Sequence, residues 1–99
     1  MSGTVAFLAD DRLPFLMLPD EALTLQRAEG LTKIPVHRLR RWSKQYGIYR
    51  QATKCAPLEI SYPALVMIQH GDHEAVELLS AGNRTHARVR QYFDLIGLP

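Results

Sequence analysis

Ninety-nine residues, 46% of them hydrophobic and 22% charged, describe one compact domain and exclude a multidomain enzyme, because a chain this short rarely divides into two cores. The lone Cys55 excludes a disulfide framework within the chain and a zinc site built from paired cysteines, so a cytoplasmic protein is expected. The net charge is only +2, but it is unevenly placed: no acidic residue stands between Glu29 and Glu59, a stretch that holds seven of the twelve Lys and Arg side chains.

The opening residues, MSGTVAFLADD, lack the positive start of a signal peptide. The longest apolar run, LPFLML, is far short of the roughly 20 residues a spanning helix needs, so no membrane protein is expected. Residues 1 to 22 read as an apolar arm. Within it Val5 to Leu8 can form a short strand, and Pro14 and Pro19 keep the rest out of regular helix. A first helix is predicted from Asp20 or Thr24, either of which can cap it, to Gly30, with Leu25, Ala28 and Leu31 on its packing side.

After a turn over residues 31 to 34, Pro35 suits the first position of a second helix that runs to Tyr46 and stops at Gly47. At 100° per residue, Val36, Leu39, Trp42, Ser43 and Tyr46 fall on one side. His37, Arg38, Arg40, Arg41, Lys44 and Gln45 fill an opposite arc of about 160°. A helix with one packing face and one wholly basic or amide face is suited to lie against a polyanion, and nucleic acid leads the candidates.

Residues 48 to 60 turn to Tyr, Arg, Thr, Cys, Pro and Ile, which suits two short strands joined by a loop, a wing. A third helix follows from Tyr62-Pro63 to Gly71. Asp72 caps a fourth, over His73 to Ala81, and Asn83 or Thr85 caps a last one bearing the apolar stripe Val89, Tyr92, Phe93 and Ile96. The fold class expected is mainly α with a small β wing, a winged helix-turn-helix.

The run LTLQRAEGLTKIPVHRLRRW, residues 23 to 42, resembles the opening of MerR-type and excisionase-type DNA-binding domains. Leu23, Thr24, Leu25, Ala28, Leu31, Thr32, Ile34, Val36, Leu39, Arg40, Arg41 and Trp42 sit at matching places without a gap. Tyr46-Gly47-Ile48 is similar to the Gly-Leu-Ile that leads into the family's wing, and Ser61 to Ile68 to the helix that follows it. Glu29, Lys33 and Pro35 depart from the pattern, which carries there a small residue, a turn glycine and a serine cap. Lys33 thus falls where a positive φ is expected and where a cation lies close to a phosphate.

The resemblance covers residues 23 to 70, the DNA-binding unit, and leaves the arm at 1 to 22 and the C-terminal helices at 71 to 99 outside it. It implies that the second helix enters the major groove of double-stranded DNA while the wing follows the neighbouring backbone. His37, Arg38 and Arg41 are then the candidates for base contact. Lys33, Arg40, Lys44, Gln45, Arg50 and Lys54 are the candidates for backbone contact, with an internal ion pair of Arg40 to Glu29 or Glu59 as the alternative for that residue. The size resembles that of excisionases and other recombination directionality factors, and a small transcriptional regulator of a mobile element fits equally. An integrase or RNA polymerase is the protein partner such roles imply.

One recognition helix reads too few base pairs to find a site in a genome, so a homo-oligomer or cooperative assembly on DNA is expected. Its candidate surface is the stripe Val89, Tyr92, Phe93 and Ile96, or the arm, each of which can equally pack within the domain. The competing class is a protein-interaction module such as an antitoxin or adaptor, gripping its partner through the arm or last helix. His70 and His73 have a metal-like spacing, but the Gly71-Asp72 between them reads as a helix break and cap, so both are taken as surface residues and no metal or other cofactor is expected. Cys55 is read as a small inert residue. No nucleophile motif, phosphate-binding glycine loop or triad points to an enzyme.

Overall fold

A computed structural model describes residues 14 to 99. The suggested strand at Val5 to Leu8 lies outside them. Residues 14 to 18 run extended into one 3-10 turn, Pro19–Glu21, and then into strand β1, Ala22–Thr24. Helices α1, Leu25–Thr32, and α2, Val36–Tyr46, follow, and then strands β2, Tyr49–Arg50, and β3, Glu59–Ser61. Three helices complete the chain: α3, Tyr62–Gln69; α4, His73–Ser80; and α5, Ala87–Leu95.

The architecture is mainly helical with one small antiparallel sheet of order β1-β3-β2. Its register pairs Leu23 and Tyr49 with Ile60 on either side of the central strand, and Thr24 and Arg50 with Glu59. The hairpin of β2 and β3 supplies the two short strands joined by a loop expected over residues 48 to 60, the segment termed the wing above. Strand β1 is a correction: residues 22 to 24 were expected to belong to the first helix or its cap. Three residues are too few to show an alternation, and Leu23 enters the sheet because Ile60 offers a buried partner.

Helix α3 is the centre of the core. Pro63 to Ile68 are buried without interruption, the signature of a helix covered on every side. It packs against β3, α4 and α5. Its start is set by Ser61, whose hydroxyl accepts from the Ala64 amide at 3.3 Å, and by Pro63 in the first turn. Asp72 caps α4 as expected, accepting from the Ala75 amide at 3.1 Å. The cap of α5 differs from expectation. It is His86, whose Nδ1 accepts from the Arg88 amide at 3.0 Å, in place of Asn83 or Thr85.

The described part of the arm alternates. Phe15 and Met17 are buried in the core while Leu16 and Leu18 face outward. Two arginines hold it through backbone oxygens: Arg84 donates to the Leu16 carbonyl at 3.3 Å and Arg50 to the Met17 carbonyl at 3.0 Å.

Candidate nucleic-acid interface

Helix α1 starts where Thr24 Oγ1 accepts from the Arg27 amide at 3.2 Å, which settles the cap in favour of Thr24 over Asp20. It passes through Gly30 and ends two residues later, at Thr32, against expectation. The stop is Lys33, at φ 65°, the one non-glycine residue with positive φ among those described. Its amide donates to the Glu29 carbonyl at 2.8 Å, so the position has the left-handed cap geometry that glycine usually supplies. The Thr32 hydroxyl donates to the Ala28 carbonyl at 2.7 Å and accepts from the Ile34 amide at 3.3 Å, which closes the turn from both sides.

Pro35 is the N-cap of α2 in place of its first residue, and its carbonyl accepts from the Arg38 and Leu39 amides, each at 3.0 Å. Helices α1 and α2 pack directly, and fully buried Ala28 and Leu39 are their central residues. The inner face of α2 is the expected one: Leu39 and Ser43 are fully buried, and Val36, Trp42 and Tyr46 pack half-buried against the core. Gly47, at φ 66°, ends the helix. Leu31, expected on the packing side of α1, is instead half exposed at 50%.

The outer face of α2 carries the chemistry. His37, Arg38, Arg40, Arg41, Lys44 and Gln45 are all exposed. Among the described residues, none of the cations of this helix has a carboxylate within 4.0 Å, nor do Lys33 and Lys54. The alternative of an Arg40 pair with Glu29 or Glu59 is not formed. Arg40 instead lines a cleft of about 220 Å³, together with Thr24, Leu25 and Gln26 of the α1 start and Gln51 and Leu58 of the wing. The helix face, the start of α1 and the wing therefore meet around one cation.

The wing loop is closed by a residue that sequence reasoning did not single out. Gln51 Nε2 donates to the Ala56 carbonyl at 2.7 Å and to the Lys54 carbonyl at 3.3 Å, holding exposed Lys54 and Cys55 in a compact turn. Arg50 differs from the other candidates for backbone contact. Its Nε donates to Glu59 Oε1 at 2.8 Å and its Nη1 to the Met17 carbonyl, so it is engaged within the domain. The sequence signal for this pair is a basic and an acidic residue nine positions apart across a hairpin, but it becomes readable only once the register is known.

The C-terminal stripe is not part of any free surface. Val89 is 0%, Phe93 1% and Tyr92 7% exposed, and Ile96 packs half-buried against the same core. Of the two expectations for these four residues, self-association and packing within the domain, their burial matches the second: a domain this small needs them to close its interior. Tyr92 also donates from its hydroxyl to Asp72 Oδ2 at 2.8 Å, and Arg88 Nε donates to Oδ1 of the same carboxylate at 2.9 Å. Burial pushes the Asp72 carboxyl up, but these two bonds, the Ala75 amide and the charge of Arg88 more than offset it and leave the group below the usual carboxylate value.

His70 and His73 are exposed and do not converge. His70 Nδ1 lies 2.9 Å from the Val66 carbonyl, and the His73 ring lies 5.3 Å from that of Tyr46. Among the described residues, no three His, Cys, Asp or Glu side chains gather as a metal site would require, and no helix is long and apolar enough to cross a membrane. No family model, curated protein or solved structure matches the chain.

Proposed function

We propose that the chain is a sequence-specific double-stranded DNA-binding protein, a winged helix-turn-helix of the MerR and excisionase type, that acts by binding and not as an enzyme. The observation that carries this reading is the outer face of α2, where four cations stand exposed without a carboxylate partner among the described residues, beside a cationic turn and a closed wing loop. Such a face is repulsive to itself, and a polyanion relieves that repulsion while releasing its own counterions.

In this reading His37, Arg38 and Arg41, on the first turns of α2, meet base edges in the major groove. Lys33, Arg40, Lys44, Gln45 and Lys54 hold the flanking phosphates and set the register. The role is that of a recombination directionality factor or a small regulator of a mobile element, working as several copies on adjacent sites in the cytoplasm. With the C-terminal stripe buried, Leu16 and Leu18 of the arm, beside Leu31 and Leu95, are the large exposed apolar side chains among the described residues, and the arm's pair is the surface for contact between copies.

A titration of the purified protein against duplex DNA over a salt series tests the reading. About five phosphate contacts predict a log-log slope of about −4.5. A flat response, or no binding to any duplex at low salt, would remove it.

A further inference from the structure

We propose that Glu59 is an internal brake on DNA binding: its carboxylate occupies the guanidinium of Arg50 in the free protein, and a backbone phosphate must displace it for the wing to seat fully. This rests on the DNA-binding reading above and adds a residue of opposite sign to it. The register makes the pair unavoidable, since Arg50 and Glu59 are direct partners across the β2–β3 ladder. Opposed residues project to the same face of the sheet, and here Nε and Oε1 meet at 2.8 Å.

Carboxylate and phosphate are alternative ligands of one guanidinium, both recognised through its planar fork of donors. Arg50 spends Nε on Glu59 and one Nη1 donor on the Met17 carbonyl, which anchors its stem while the charge stays at the base of the wing. The pair borders an open cleft of about 400 Å³ lined by Arg50, Gln51, Ala52 and Glu59. Gln51 also lines the Arg40 cleft, so the two recesses adjoin and a DNA backbone lying along Arg40 passes close to Arg50.

The exposure of the pair makes the exchange feasible. The Arg50 and Glu59 side chains are 40% and 35% exposed, whereas Glu21, in the Arg84 pair, is 3% exposed. A solvated pair holds its partners weakly and can be opened by a competing anion, while a buried pair cannot be opened without leaving a charge in the core. The consequence is selectivity. A complex that fits poorly leaves the pair closed and carries an acidic group against the phosphates, and a well-seated one exchanges the carboxylate for a phosphate.

A double-mutant cycle on duplex binding tests the brake, with Glu59→Gln, Arg50→Gln and both together, each first checked for a cooperative thermal melt. The brake predicts that Glu59→Gln binds about fivefold more tightly at an unchanged salt slope, since the seated complex has the Arg50–phosphate contact with or without Glu59, and that the gain vanishes when Arg50 is already Gln. An equal gain in the Arg50→Gln background would mean that Glu59 acts only as a distant charge, and an absent gain that it does not act at all. Either result overturns the proposal while leaving the DNA-binding reading intact. Absence of duplex binding by the unsubstituted chain and all variants overturns both. A second readout needs no substitution: the Arg50 Nε–H resonance of the unsubstituted protein should shift on saturation with duplex, and an unmoved resonance also overturns the brake.

Discussion

The basic side chains of the two ends of this molecule live in opposite surroundings. Near the C-terminus, Arg84 grips Glu21 at 2.6 and 3.0 Å, Arg88 binds Asp72 at 2.9 Å, and Arg90 lies 3.5 Å from Asp94 and over the Phe93 ring. On α2, Arg38, Arg40, Arg41 and Lys44 meet no acid at all among the described residues. The same residue type thus ties elements together in one half and is left free in the other. Composition cannot make that distinction, and the free set is the one that calls for an external anion. Arg50 stands between the two conditions, paired but solvated.

Five substitutions press on this contrast. The largest effect is expected at Phe93, which is 1% exposed: Phe93→Ala should cost about 3 to 5 kcal/mol and leave the domain largely unfolded in urea or thermal melts. A folded Phe93→Ala protein would show that the C-terminal half is not core. Next comes Arg84→Met, which strands the Glu21 carboxylate in the interior. The loss should be about 2 to 3 kcal/mol, below that of a fully buried pair because Arg84 itself is 32% exposed, while DNA affinity per folded molecule stays unchanged.

On the other side of the comparison, Arg38→Ala and Arg41→Ala should leave the melting midpoint nearly unmoved. Each should weaken binding to the cognate site by about 1 to 3 kcal/mol more than binding to random duplex. Equal losses on all sequences would reassign both residues from base contact to phosphate contact. The smallest effect is expected at Lys33, where fold and function pull apart. Lys33→Gly should stabilise the domain by up to about 1 kcal/mol in denaturant titration by relieving a left-handed backbone, while flattening the salt slope by about 0.9. A destabilised Lys33→Gly would show that its side chain packs, contrary to its exposure.

Where periodicity had room to accumulate, the sequence was legible. Eleven residues of α2 give three turns, enough for two faces to separate, and the structure exposes and buries them as the 100° rotation predicts. Local chemistry served equally well at Thr24, Asp72 and Gly47, because a cap needs only residues within one turn. Leu31 shows the limit. It lies 120° round the helix from Leu25 by the same arithmetic, at the edge of the face, and only the position of the neighbouring elements determines that it is half exposed.

Three features lay beyond any local rule: the strand Ala22–Thr24, the burial of Val89, Tyr92 and Phe93, and the pairing of Arg50 with Glu59. Each depends on segments far apart in the chain meeting at one place. An apolar stripe reads the same whether it faces its own core or a second copy, and a cation reads the same whether a carboxylate stands opposite or not. The amphipathic helix, its cationic face, its stop at Gly47 and the two short strands after it were therefore set by the order of residues alone. Which apolar residues close the core and which cations remain free were decided by tertiary packing, because only packing brings Glu21, Asp72 and Glu59 to their arginines and, among the described residues, brings no carboxylate to α2.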